Sequence, residues 1–102
     1  MHKIALVISA LVFVSVSSAW AADARNGEVL ARRWCAACHV VAPDQREPAG
    51  EALPFASVAK RPNFDAHQLA FFLLNPHPKM PDMGLSRREA EDLSAYIVTL
   101  NK

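Results

Sequence analysis

All seven prolines of this 102-residue chain lie between Pro43 and Pro81, and that placement decides where long helices can form. A proline inside a helix removes a hydrogen bond and drives its ring into the preceding turn, at a cost of about 3 kcal/mol. Asp23 to Ala37 has no such breaker and reads as a helix, with Val29, Leu30 and Trp34 at helical spacing and Arg32 and Arg33 between them. Ala42 to Pro62 is interrupted by Pro43, Pro48, Pro54 and Pro62 and reads as loop. Asp65 to Leu74 predicts a short helix with Leu69, Phe72 and Leu73 on one face, stopped by Asn75-Pro76. After Pro81, Ser86 and Glu89 have the spacing of a capping box, with Leu85 and Ala90 as a weak hydrophobic staple. Leu93, Ile97 and Leu100 then form an i, i+4, i+7 stripe widened by Tyr96. No segment alternates like a strand, so the expected fold is all-α.

The chain opens differently. Met1-His2-Lys3 is a short basic start, and Ile4 to Trp20 carries no charge and ends in Ala19-Trp20-Ala21. This is the layout of a secretory signal peptide, residues 1–21, cut after Ala21, followed by a single domain, residues 22–102. The alternative is an uncleaved membrane anchor, although the apolar run is slightly short of the ~20 residues of a spanning helix. Loss of Lys3 takes the formal net charge from +1 to zero, without the basic excess of a nucleic-acid binder. A domain this small buries a limited core and usually needs a staple. A bridge between Cys35 and Cys38 would close a trivial loop and stabilise little, so something else must fill the middle.

Cys35-Ala36-Ala37-Cys38-His39 identifies that filler. Thiols at this spacing can add to the two vinyl groups of a haem, and the adjacent histidine then supplies an imidazole nitrogen to the iron. The expected cofactor is one haem c, covalent through Cys35 and Cys38, with His39 as proximal ligand. Two rival uses are weaker. A thioredoxin-like dithiol wants a βαβ surrounding, which is absent from the pattern. Zinc wants two more good ligands, and His67 and His77 lack a compact finger spacing.

A second axial ligand falls to Met80 or Met83. Met80 lies in Pro78-Lys79-Met80-Pro81, where flanking prolines stiffen an extended loop, whereas Met83 precedes Gly84 and reads more as packing. A thioether is neutral and soft, favouring the ferrous state. His77 lies between two prolines and reads as a solvated loop histidine rather than a bis-histidine ligand, and His67 as a polar-face residue.

From Gly27 to its end the chain resembles the class I cytochrome c family. Gly27 lies eight positions before Cys35, Cys35 to His39 forms the haem site, and Met80-Pro81-Asp82-Met83-Gly84-Leu85 resembles the ligand-methionine segment. Leu93-Ser94-Ala95-Tyr96-Ile97 matches the C-terminal helix. The resemblance implies that Met80 is the axial ligand, and that Gly27 lets the first helix approach the last near Leu93 and Tyr96. It also implies a carbonyl partner for the proximal histidine, for which Pro48 and then Pro43 are the candidates. Ala31 departs from the family, standing where many relatives have an aromatic residue, and the short middle loop has no tryptophan for a haem propionate. Arg61 reads equally as a propionate partner and as a solvated loop arginine.

An iron with both axial positions filled can only change oxidation state, so the expected function is periplasmic electron transfer, not enzymatic catalysis. The expected partners are redox proteins such as a dehydrogenase, a cytochrome complex or a terminal oxidase. Trp34, Phe55, Phe64, Phe71 and Phe72 are expected around the haem, and Lys79, Arg87 and Arg88 offer a local positive patch. Two alternatives stand beside this reading. One is a gas sensor or peroxidase-like enzyme with an open iron, disfavoured because no general acid or base stands out beside the ligand loop. The other is a cytochrome subunit bound permanently to a dehydrogenase or oxidase.

Overall fold

The computed structural model describes residues 10–12, 21–46, 50, 52–76 and 79–102. The predicted signal peptide, apart from residues 10–12 and 21, lies outside these, as do Pro48 and His77. The described residues contain helices and no strand, in agreement with the all-α expectation. None of these helices is long and apolar enough to cross a membrane.

Helix α1 (Ala24–Leu30) starts behind Asp23, whose carboxylate accepts from the backbone N–H groups of Arg25 at 3.0 Å and Asn26 at 3.2 Å. Those donors have no partner within the helix, which is why an aspartate is favoured there. The helix widens without a break into a π-helical turn, Ala31–Cys35, closed by the Ala36 N–H on the Ala31 carbonyl at 3.1 Å. Helix α3 (Ala66–Leu74) is capped in the same way by Asp65 and gives out at Asn75. Helix α4 (Arg87–Val98) begins with the predicted reciprocal box: the Glu89 N–H donates to Ser86 Oγ at 3.0 Å and the Ser86 N–H to Glu89 Oε1 at 2.9 Å. Ala90 lies in the core and Leu85, partly buried, packs against it.

One element differs from expectation. The predicted loop over Ala42 to Pro62 contains a short helix, α2 (Phe55–Ala59). Pro54 stands at its N-cap, where the missing N–H costs nothing, so a residue read as a breaker serves as a start signal.

The core joins Leu30, Ala31, Cys35, Val41, Phe55, Leu73, Leu93 and Ile97. The first helix, with its π-helical turn, buries Leu30 but leaves Val29 56% and Trp34 45% exposed. It turns Gly27, Leu30, Ala31 and Cys35 inward instead. The reason is α4. A Cβ on Gly27 would overlap the Asp92 carbonyl oxygen and stand 2.8 Å from Tyr96 Cβ, so the backbones meet at a distance only glycine permits. The crossing is fastened by the buried Asp92 carboxylate, which accepts from the Asp23 N–H at 2.7 Å and Asn26 Nδ2 at 2.8 Å. Tyr96 reaches past the crossing and donates its hydroxyl to the Val41 carbonyl at 2.6 Å, tying α4 to the chain beyond Cys38.

Candidate functional site

The π-helical turn delivers Cys35 to the core and ends the helix at once. Its carbonyl accepts from the N–H of Cys38 at 3.1 Å and of His39 at 2.9 Å, so the two cysteines and the histidine share one tight turn. Cys35 is buried and Cys38 exposed. Burial, aided by the neighbouring Cys38, pushes the Cys35 thiol up to about 11. A dithiol oxidoreductase needs the opposite, a thiol whose pKa is lowered so that the thiolate can attack. Among the described residues, which do not include His77, no group of three or more His, Cys, Asp or Glu side chains is gathered.

His39 is held by its ring. Nδ1 lies 2.6 Å from the Leu53 carbonyl oxygen, which can only accept, so Nδ1 carries the proton and the Nε2 lone pair is left for a metal. Phe55 packs tilted against the imidazole with ring centroids 5.1 Å apart. This corrects the expectation of a Pro48 or Pro43 carbonyl. The Phe55 N–H donates to the Val40 carbonyl at 2.9 Å, and that bond lays residues 53–55 beside the histidine; the carbonyl presented is that of the residue before Pro54. No spacing in the sequence points to Leu53.

Met80 is partly buried and packs against the core that also holds Cys35, Phe55 and Ile97. Met83, half-buried as well, leads into Gly84, which takes a φ of 63° and whose N–H is held by Asp82 at 2.8 Å. Phe55 is buried and Phe64 partly so, whereas Phe72 is 40% and Phe71 74% exposed. Arg61 is exposed, as is His67 on α3.

The donor set suits a haem c: thiols three positions apart on one turn, an imidazole with its second nitrogen already engaged, and a core-packed thioether on another segment. Gln45, which the sequence did not single out, completes the turn. Its side chain accepts from the Val41 N–H at 2.9 Å and donates to the carbonyls of His39 at 2.9 Å and Ala36 at 3.3 Å.

Comparison with known proteins agrees with this chemistry. Residues 22–97 match the family model described as cytochrome C oxidase, cbb3-type, subunit III. The chain is 53% identical over 100 residues to cytochrome c-552 of Bradyrhizobium diazoefficiens, an alignment covering 98% of this chain and 96% of the relative. No solved structure matches. The chain therefore belongs to the class I cytochrome c family and is a small c-type cytochrome that carries covalently bound haem c.

Proposed function

We propose that this electron carrier works outside the cytoplasm, with a single haem anchored by Cys35 and Cys38 and ligated axially by His39 and Met80. When bound, the haem supplies a one-electron couple. The chain supplies the ligands and their constraint. The observation that carries the reading is the Leu53 carbonyl on His39 Nδ1, which fixes the tautomer and makes Nε2 the more basic donor. Met80 supports the opposite position because it is packed against the core and because the family's ligand segment begins at that methionine. Export is supported by the signal-like residues 1–21 and by haem attachment itself, which in bacteria is made outside the cytoplasm.

Optical spectra of the mature holoprotein test the reading. Expected is a low-spin spectrum with a weak sulfur-to-iron charge-transfer band, unchanged when CO is added to the reduced form. A high-spin spectrum, or a prompt shift with CO, would replace carriage by sensing or peroxidase chemistry. A second reading, a cytochrome held permanently in an oxidase, is favoured by the description of the matching family model. Co-purification with oxidase subunits from native membranes would support it; recovery as a free small protein would not.

A further inference from the structure

We infer that Gln45 is a positioning residue for His39, fixing through its side-chain amide the backbone that aims the imidazole. The inference rests on the axial role of His39 proposed above. The Gln45 amide serves one donor, the Val41 N–H, and two acceptors, the Ala36 and His39 carbonyls, and this pattern leaves one amide orientation. Those carbonyls sit where the chain leaves the π-helical turn, and carbonyls past a helix end need donors from elsewhere. One side chain thus takes the place of the missing next turn.

His39 is gripped at two points, its ring by Leu53 and its carbonyl by Gln45. The next two carbonyls are held as well: Val40 by the Phe55 N–H at 2.9 Å and Val41 by the Tyr96 hydroxyl at 2.6 Å. Of these three donors, Gln45 alone bonds to His39 itself. With the ring nitrogen anchored, a swing of the His39 peptide would turn the imidazole about that anchor, and Gln45 opposes the swing. The same loop is tied from its solvent side by Asp44, whose Oδ1 lies 3.1 Å from Arg32 Nη2, a contact that does not involve the backbone of residues 36–41. Asp44 therefore separates loop anchoring in general from positioning of His39.

The test compares holoproteins of the parent, Gln45→Met and Asp44→Asn. Methionine keeps the length and loses all three bonds. One readout is the spread of haem methyl proton shifts in the ferric protein, which follows the orientation of the imidazole plane. The other is the pH at which the low-spin spectrum is lost as protons take His39 from the iron. Groups that orient a metal ligand typically change metal affinity by about 10–100-fold. Since one proton competes for the imidazole, a tenfold weaker bond raises that pH by about one unit. Gln45→Met is expected to redistribute the methyl shifts and raise the acid midpoint by about that much. Asp44→Asn is expected to leave the methyl shifts as in the parent. If Gln45→Met lowers thermal stability alone, or if Asp44→Asn redistributes the methyl shifts as much, the inference is wrong. Should Gln45→Met fail to mature, Gln45→Asn, which keeps the amide but shortens its reach, is judged by the same criteria. A parent spectrum without histidine ligation would overturn the underlying reading too, and needs no variant to detect.

Discussion

Replacing Gly27 by alanine sets two effects of opposite sign against each other. Alanine is favoured over glycine inside a helix by about 1 kcal/mol. The new Cβ, however, would overlap the Asp92 carbonyl oxygen and lie 2.6 Å from its carbon and 2.8 Å from Tyr96 Cβ. Carbon atoms in contact settle at about 3.5–4.0 Å, so the helices must part by about 1 Å. Backbone cannot move aside as a flexible side chain can. Overpacking of this kind costs about 1–3 kcal/mol. Separation also stretches the bonds from Asp23 N and Asn26 Nδ2 to the buried Asp92 carboxylate, and hydrogen bonds to charged groups contribute about 1.5–3 kcal/mol each. After the propensity gain, a net loss of about 3 kcal/mol is expected. At about 4–8 °C per kcal/mol for a domain of this size, the melting temperature of the holoprotein should fall by about 12–24 °C. Gly84→Ala is the control: its φ of 63° resists a side chain, yet nothing lies within 4 Å of the added carbon. Its loss should stay near 1–2 kcal/mol, roughly the left-handed penalty alone. A Gly27→Ala melt within a few degrees of the parent would refute the claim that the crossing requires glycine.

Three further outcomes are expected. Tyr96→Phe leaves the Val41 carbonyl without its buried donor and should cost about 1–3 kcal/mol in a denaturant melt. Met80→Ala should retain covalent haem, visible after denaturation, while the reduced protein gains a CO complex; the same result from Met83→Ala and not Met80→Ala would move the ligand to Met83. Arg32 holds the Asp44 carboxyl below its ordinary value by a hydrogen bond and by its charge. A pKa depressed in the folded state means stabilisation present above that ordinary value, 3.8, and lost as pH falls through the folded one. The stability advantage of the parent over Asp44→Asn should therefore hold from neutral pH down to about pH 4 and shrink below it, and added salt should shrink it at pH values above that window.

Local chemistry made much of the fold legible. The Ser86–Glu89 pair works through neighbours within three residues, so its role is read from spacing and the structure bears it out. Asp23 and Asp65, read only as the first residues of their helices, are the caps just before them. Helix α2 was hidden because proline carries both meanings, breaker within a helix and starter at its end. On α1, periodicity marks Val29, Leu30 and Trp34, of which only Leu30 is buried. The close contact with α4 falls to Gly27, which the family resemblance marks and periodicity does not. In the site, the haem motif is contiguous and could be read directly. The Leu53 carbonyl is a backbone group presented by a tertiary turn, and Gln45 acts across four to nine residues of loop, so neither leaves a pattern in composition or spacing.

The helix crossing and the haem turn are joined by one residue, which makes their energies interdependent. Tyr96 Cβ is among the atoms an alanine at position 27 would strike, and Tyr96 Oη holds the Val41 carbonyl two residues past His39. Forcing α1 from α4 should therefore loosen the Tyr96–Val41 bond before any haem ligand is touched. If so, Gly27→Ala already forfeits part of what Tyr96→Phe removes, and the double variant should lose less than the sum of the singles. Residues that share a contact commonly couple by about 0.5–3 kcal/mol, whereas distant ones add within about 0.5 kcal/mol. Asp65→Ala, which uncaps α3, shares no partner with Gly27 and serves as the additive reference. Denaturant melts of the two cycles decide the matter. A Gly27–Tyr96 cycle as additive as the Gly27–Asp65 one would mean that the crossing and the haem turn are stabilised independently, with the tyrosine hydroxyl following the loop rather than holding it.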